Sequence, residues 1–470
     1  MTNPRFNRLP LPAPLLCNLD ALGYRTMTPI QQQSLPEILE GKDLIARAKT
    51  GSGKTAAFSI GLLLKLRQRN FGCQALVLCP TRELATQVAQ EIRRLARYEQ
   101  NIKVVTLSGG HPIGPQIASL KHGAHVVVGT PGRIQDHLRK RTLSLEQVNT
   151  VVLDEADRML DMGFIDAMEA ILAHTTAQRQ TLLFSATYPS GIRQLSRRFQ
   201  VSPVEITVES THSYEQIEQR FYLAESHSDK PADTNDKTAL LLKLLAHYSP
   251  ESCVIFCNTK QACKEVGTQL YEQGYKPLVL HGDMEQKERD QMLVRFANRS
   301  ATLLIATDVA ARGLDIENLA AVINYDLSRN PEVHVHRTGR TGRAGKEGLA
   351  LSLYTRREQY KLDRISDYLK APLAIGDHKN LTADTKESAP LLQAHMVTLA
   401  IDGGRKNKVR PGDILGALTG EADIPGDQVG KINIFDFVAY VAVKREVARK
   451  ALAQLERGRI KGRKFKVRRL

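Results

Sequence analysis

The chain has 470 residues, 42% hydrophobic and 25% charged, a balance that fits globular protein and excludes one ordinary core; two or three domains are expected. Lysines and arginines number 66 against 50 acids, a formal net charge of +16, which makes a polyanion the leading partner. Aromatics are only 5% and Trp is absent, so a wide base-stacking platform is not expected.

The N-terminal MTNPRFNRLPLP has no apolar leader core, and IGLLLKL is too short to span a bilayer; a cytoplasmic protein is expected. The first strand signal, KDLIARA, runs into AKTGSGKT (48–55) and then the helical AAFSIGLLLKL. Strand, glycine-rich turn and helix together make a phosphate cradle. Backbone N–H groups of Thr50, Gly51, Ser52 and Gly53 can approach phosphate oxygens, helped by the positive end of the following helix. Lys54 is placed to reach the β- and γ-phosphates of a nucleotide, and the Thr55 hydroxyl to ligate Mg²⁺.

Further strands follow with helices between them: ALVLCP before RELATQVAQEIRRLARY, HVVVGTP before GRIQDHLRK, then TVVLDEAD and QTLLFSAT. In VVLDEADRML (151–160), Asp154, Glu155 and Asp157 crowd the end of an apolar strand, a costly arrangement for unpaired carboxylates. A phosphate cradle explains it, because a second metal-holding group is needed at a neighbouring strand tip. Asp154 can hold the cation through a bound water, and Glu155 can orient or deprotonate the attacking water. Ser185 and Thr187 in SAT can hydrogen-bond the acidic cluster at Asp157.

The polar AESHSDKPADTNDK (224–237) reads as a linker or surface loop. A second series then begins: SCVIFCNT with KQACKEVGTQLYEQG, KPLVLHGD with EQKERDQMLVRFANRS, and ATLLIATD. Apolar strands joined by amphipathic helices predict two parallel sheets covered on both faces. The six cysteines form no C-x-x-C pair and lie mostly in strand-like runs, so reduced packing thiols are expected rather than zinc. After GDHKNLTADTKESAP (376–390) the tail changes character. MVTLAID, PGDILGALTG, GKINIF, FVAYVAV, EVARKALAQLERG and the final KFKVR give the order β-α-β-β-α-β of an RNA recognition motif. Residues 391–470 hold 17 lysines and arginines against 8 acids. In KFKVR, Phe465 and Val467 alternate with Lys464, Lys466 and Arg468, an apolar and a cationic face of one strand. Few aromatics stand on the other strands, so reading of phosphate and shape is expected.

In motif order, residues 6 to 370 resemble the DEAD-box RNA helicases of superfamily 2. The resemblance implies two tandem RecA-like domains, with the RRM-like unit appended. It assigns GYRTMTPIQ (23–31) to adenine recognition, with Gln31 reading the base and Phe6 beside it; Met27 stands where the family usually has Pro. PTRELA, GG and TPGR are similar to the family's RNA-backbone motifs, which points to Thr81, Arg82, Gly110, Thr130 and Arg133. In the second series HGD contributes His281 and Gly282, and ATDVAARGLDI contributes Thr307 to RNA and Asp315 to the ribose. In HRTGRTGRAG the resemblance makes Arg340 and Arg343 arginine fingers for the γ-phosphate, and His336 a coupling residue alongside Asp157, Ser185 and Thr187; Thr338 replaces the commoner Ile or Val. Lys54, Asp154 and Glu155 complete the catalytic set.

The tail, with IDGGRKNKVRPGDILGALTGE, looks like that of the bacterial DbpA-type helicases. That likeness implies structured RNA, specifically large-subunit ribosomal RNA in pre-ribosomal particles, as target. Expected domains are 1–210, 211–375 and 391–470, with 376–390 a linker, in a monomer using ATP and Mg²⁺. Two functions use the same residues: a helicase that locally separates RNA strands, and an ATP-timed RNA clamp that separates none. A DNA translocase fits the acid and adenine motifs less well.

Overall fold

Each apolar run ends in a polar loop, and those loop ends decide how the molecule works. The computed structural model describes residues 4–48, 51–208, 217–225, 234–311, 319–342, 347–381, 392–420 and 424–470. The described residues through 208 belong to one compact unit and those from 217 onward to a second.

The first unit is built on seven described strands: β1 (Leu44–Arg47), β2 (Ala75–Leu78), β3 (Val104–Leu107), β4 (Val126–Gly129), β5 (Thr150–Asp154), β6 (Gln180–Ser185) and β7 (Val204–Thr207). Their order is β3-β4-β2-β5-β6-β1-β7 and every pairing is parallel. Strand alternation divides the apolar residues between the two faces. Leu44, Ala46, Val77, Val128, Val152 and Phe184 pack into one core, while Ile45, Leu76, Val127, Val151 and Leu183 pack into another. Burial on both faces requires continuous aliphatic runs, and each such side chain contributes roughly 1.5–3 kcal/mol. The helix Arg82–Leu95 shows the complementary period, burying Ala85, Val88, Ala89, Ile92 and Leu95.

The second unit repeats the plan with β8 (Ile217–Leu223), β9 (Cys253–Cys257), β10 (Leu278–Leu280), β11 (Leu303–Thr307), β12 (Ala321–Asn324), β13 (Gly348–Tyr354) and β14 (Ile375–Gly376). The order is β10-β11-β9-β12-β13-β8-β14, again parallel throughout. A third, antiparallel sheet follows, β16-β17-β15-β18, from β15 (Met396–Ile401), β16 (Val429–Ile434), β17 (Ala439–Lys444) and β18 (Val467–Arg469). The helices Pro411–Thr419 and Ala448–Arg457 cover one face, where Ile414, Leu418, Ala451 and Leu455 meet Val397, Leu399, Ile401, Val441 and Val443.

Three local readings change. The helix Thr234–Tyr248 begins inside the stretch read as a loop, because Leu240, Leu241, Leu244 and Leu245 find a core to cover. Gly376, read as linker, pairs in β14 with Tyr222 of β8. FVAYVAV enters the sheet only at Ala439, and KFKVR only at Val467, although Phe465 still packs inward and Lys464 and Lys466 stay exposed. Cys73, Cys79, Cys253, Cys257 and Cys263 are buried free thiols, and Cys17 is an exposed one. Among the described residues no helix is long and apolar enough to cross a membrane.

Candidate active site at the strand ends

In a parallel sheet all carboxyl ends lie at one edge, and loops leaving that edge form the ligand crevice. Here β1, β5 and β6 are neighbours, so the glycine-rich loop, the acids and SAT meet: Arg47 is opposite Ser185, Asp154 is opposite Phe184, and Ala48 N–H donates to the Ser185 carbonyl at 3.1 Å. Gly51 and Gly53 have φ of 78° and 95°, values that turn the loop back over the helix Lys54–Leu64. A Cβ on Gly53 would come within 2.5 Å of Gln31 Nε2. Lys54 is buried, its ammonium donating to the Ala48 carbonyl at 2.6 Å. Among the described residues the buried Ser52 hydroxyl has no hydrogen-bond partner, an orphan that a phosphate oxygen would satisfy. Thr55 is half-buried on the first turn of the helix, and Thr50 lies outside the described residues.

Asp154 is 3% exposed. Burial pushes its carboxyl up to about 7, against the opposing pull of Lys54, and Glu155 adds to the rise. A buried acid in that state fits a cation brought in by a ligand. Among the described residues no three His, Cys, Asp or Glu side chains converge as a metal cage. Glu155 has φ 51° and ψ 51°, a left-handed conformation for a residue with a Cβ, and it turns β5 abruptly into the helix Ala156–Asp161. The next acid points elsewhere. Asp157 Oδ2 accepts from Thr187 N–H and Thr187 Oγ1, both at 2.9 Å, and its own N–H donates to Ser185 Oγ at 3.3 Å. The acids that crowd the sequence are thus separated: Asp154 toward the cradle, Asp157 into SAT.

Gln31 is 1% exposed, and both ends of its amide are engaged by protein. Its Oε1 accepts from Thr28 N–H at 2.9 Å and its Nε2 donates to the Gly53 carbonyl at 3.1 Å, which ties the segment 23–31 to the glycine-rich loop. Phe6 is buried edge-on to Tyr24, with ring centroids 6.3 Å apart. On the other half of the edge, Thr81 caps the helix Arg82–Leu95 by accepting from Leu84 N–H at 3.2 Å. The Arg82 guanidinium lies beside Gly109, Arg133 donates twice to the His111 carbonyl at 3.0 and 3.1 Å, and Thr130 precedes the helix Pro131–Arg139. The loops after β2, β3 and β4 thus form one basic, amide-rich surface around Gly110, whose φ is 78°.

In the second unit the motif arginines have separate fates. Arg337 is 2% exposed and saturated. Nε and Nη2 grip both oxygens of Asp308 at 2.6 and 2.7 Å, Nη1 donates to the Asp326 carbonyl at 2.6 Å, and Nη2 donates to Asn258 Oδ1 at 2.9 Å. It therefore clamps the ends of β9, β11 and β12 beneath the loop that carries Arg340. Arg340 and His336 are half-buried, while Arg312, Gly313, Asp315 and Arg343 lie outside the described residues. Thr307 Oγ1 accepts from Ala310 N–H at 3.3 Å, Gly282 is exposed, and His281 Nδ1 is buried without a partner among the described residues. In the tail, Lys464 and Lys466 are exposed and Arg468 donates to Asp402 at 2.8 Å. Sequence reasoning did not single out Asn258, Asp326 or the anchoring role of Arg337. A strand-end polar residue is too common a signal to find the first two, and Arg337 looks like the arginines beside it.

Residues 28–195 match the DEAD/DEAH box helicase family, 236–345 the helicase conserved C-terminal domain, and 398–469 the DbpA RNA binding domain. The chain is similar to the ATP-dependent RNA helicase DbpA of Escherichia coli (strain K12), 53% identical over 458 residues and 97% of each chain. It is also similar to the DbpA of Bacillus subtilis (strain 168), 37% identical over 471 residues and 96% of each chain. Among solved structures it is similar to S. cerevisiae Dbp5 bound to RNA and ADP BeF3, with 29% identity and a TM-score of 0.71, covering 80% of this chain and 96% of that one.

Proposed function

Since the chain belongs to the DEAD-box ATP-dependent RNA helicases, and to the type that ends in a DbpA RNA binding domain, we propose that it remodels large-subunit ribosomal RNA during ribosome assembly. The observation that carries this reading is the presence, in one chain, of the glycine-rich turn that leads into the helix Lys54–Leu64 and of a basic tail module that matches the DbpA RNA binding domain. The units are divided as 1–210, 211–376 and 391–470, with 377–390 between the last two, acting as a monomer in the cytoplasm.

Lys54 and the N–H groups around Gly51 to Thr55 hold the nucleotide phosphates, with Gln31, Phe6 and Asp315 at the base and ribose. Thr55 and Asp154 hold Mg²⁺, which supplies charge neutralisation on the phosphate oxygens. Glu155 positions the attacking water and takes its proton, and Arg340 with Arg343 balances charge on the γ-phosphate. Thr81, Arg82, Gly110, Thr130, Arg133, His281, Gly282 and Thr307 bind sugar and phosphate, which positions RNA without reading its sequence. Asp157 with Ser185 and Thr187, and His336 on the other unit, relay between the two ligands. Lys464, Lys466 and Arg468 contribute cationic contacts to the selected RNA.

ATP hydrolysis measured with and without ribosomal RNA fragments tests the reading, together with displacement of a short labelled strand. Stimulated hydrolysis with displacement is expected. Stimulated hydrolysis without displacement is the outcome for an RNA clamp, and equal hydrolysis with and without RNA sinks both.

A further inference from the structure

The helix Pro131–Arg139 carries a buried imidazole that the chemistry above does not use. His137 is 0% exposed, so each ring nitrogen needs a partner within the protein. One partner comes from the helix's own closing turn. Arg141 has φ 52°, Thr142 N–H donates to the His137 carbonyl, and Arg141 N–H donates to the Leu138 carbonyl, both at 2.9 Å. This pairing commonly ends a helix, and here it folds Thr142 back until its hydroxyl lies 2.7 Å from His137 Nδ1. The other partner comes from a different element. His137 Nε2 is 3.2 Å from Oε1 of Gln116, on the helix Ile113–Leu120. Gln116 Nε2 in turn donates at 2.9 Å to the carbonyl of Ser108, the residue between β3 and Gly109.

The network fixes its own hydrogens. A carbonyl only accepts, so the amide nitrogen of Gln116 faces Ser108 and the amide oxygen faces the ring. His137 Nε2 therefore carries a proton. The Thr142 hydroxyl donates to Nδ1, a shorter contact than its 3.2 Å to the His137 carbonyl, which Thr142 N–H already serves. A neutral ring thus satisfies both partners. Burial, and then the charge of Arg133, holds it below the usual imidazole range against the opposing pull of Asp136.

The helix Ile113–Leu120 depends on such a brace. None of its eight residues is buried, and Leu120 at its far end packs only at the rim of the core. Polar rungs hold it instead. Lys103 Nζ donates to the Ser119 carbonyl at 2.6 Å, and Arg133 donates to the His111 carbonyl just before the helix begins. An element with so little apolar burial opens at low cost, and the loop from Ser108 to His111 leads directly into it.

We propose that His137 is a positioning residue for RNA: through Gln116 it fixes the loop Ser108–Gly110 against the helix Pro131–Arg139, so that the N–H groups around Gly110 and the Thr130 hydroxyl are set for one strand's backbone before it arrives. The ring itself touches no RNA. Its effect is to remove an ordering cost that binding would otherwise carry. The inference rests on the function proposed above and deepens it, by naming what holds this half of the RNA-contacting loops in place.

His137→Gln and His137→Asn in the full-length chain test it, because a glutamine amide nitrogen reaches the place of imidazole Nε2 and an asparagine only that of Nδ1. Two measurements are compared: backbone hydrogen exchange across 108–120 in the RNA-free protein, and ATP hydrolysis titrated with a mixed-sequence single-stranded RNA. His137→Asn should speed exchange across 108–120 and raise the RNA concentration for half-maximal stimulation about fivefold, the worth of one buried hydrogen bond. Turnover at saturating RNA and the KM for ATP should stay at wild-type values. His137→Gln should restore both measurements. Gln116→Ala breaks the same contact from a half-buried position if His137→Asn lowers the melting temperature, and combining the two should be no worse than either alone. Wild-type exchange and RNA response in Gln116→Ala, identical behaviour of the Asn and Gln variants, or a fall in saturated turnover alone overturns the proposal. A wild-type chain that RNA does not stimulate sinks the proposed function instead, while exchange across 108–120 still decides whether His137 braces the loop.

Discussion

At the scale of single residues, position relative to the cradle separates side chains of the same type. Glu155 is held in a left-handed turn at the tip of β5, whereas Lys54 is buried beneath the loop. Glu155→Gln is therefore expected to keep ATP and RNA binding and to lose turnover by about 10²–10⁴-fold, the usual worth of a positioned base. Lys54→Ala is expected to weaken nucleotide binding itself. Equilibrium binding of a fluorescent nucleotide beside steady-state hydrolysis distinguishes the two. A buried histidine gives a pH prediction. His334 is 1% exposed and stacked on Phe221, and neither ring nitrogen has a partner among the described residues. Burial, and then the charge of Arg337, pushes it down to about 3. The unfolded chain takes up this proton near pH 6.5 and the folded chain does not, so the stability that neutral His334 permits is present above about pH 6.5 and lost as pH falls toward 3. The loss should be about 2 kcal/mol at pH 5, and His334→Phe should remove it. Denaturant melts at pH 7 and pH 5 check this; an unchanged acid slope in the variant rules it out.

At the scale of elements, the ends of β9, β11 and β12 are bound into one rigid platform by Arg337. Thr307, expected to touch RNA, is adjacent to Asp308, and Asp308 grips the arginine three residues before Arg340. Asp308→Ala leaves a guanidinium buried without its counter-ion, so it should destabilise the second unit by about 3 kcal/mol. Asp308→Asn should retain the fold and uncouple RNA from hydrolysis, raising the RNA concentration needed for half-maximal stimulation. Arg340→Ala should instead cost on the order of 10³-fold in stimulated turnover with ATP binding little changed. Identical RNA titrations for the Asn variant and the wild type would remove Arg337 from the coupling route.

At the scale of the whole molecule, the division of labour follows charge. The core motifs are proposed to meet sugar and phosphate, which leaves the basic module of 391–470 as the surface of domain size expected to select a target. Deleting 391–470 should leave ATP hydrolysis that responds to any RNA at high concentration, without preference for ribosomal fragments over random RNA. The deletion also uncovers Val294 and Asn298, so the truncated chain should be stickier as well as less selective. Full-length binding should weaken linearly in log–log with salt, as phosphate contacts release counterions. Retained selectivity after truncation would move specificity into the core.

Local pattern was enough for much of this. Apolar strand runs ending at GSGKT, DEAD and SAT, the second series, and the β-α-β-β-α-β tail are all legible because hydrophobic period and glycine placement act through neighbours in the chain. The four-residue strands Val104–Leu107 and Ala321–Asn324 were less legible, since so short a run resembles a loop until partners flank it. Distances between loops were not legible at all. Strand order, a property of the whole sheet, brought Asp157 to Thr187, Gln31 to Gly53, and Arg337 to both Asp308 and Asn258. The tail shows the limit most clearly. Its sequence determined a sheet with one aromatic-poor open face, but only packing against Val294 and Ser300 decided that this face is an interior surface, because burial depends on what an element meets in space.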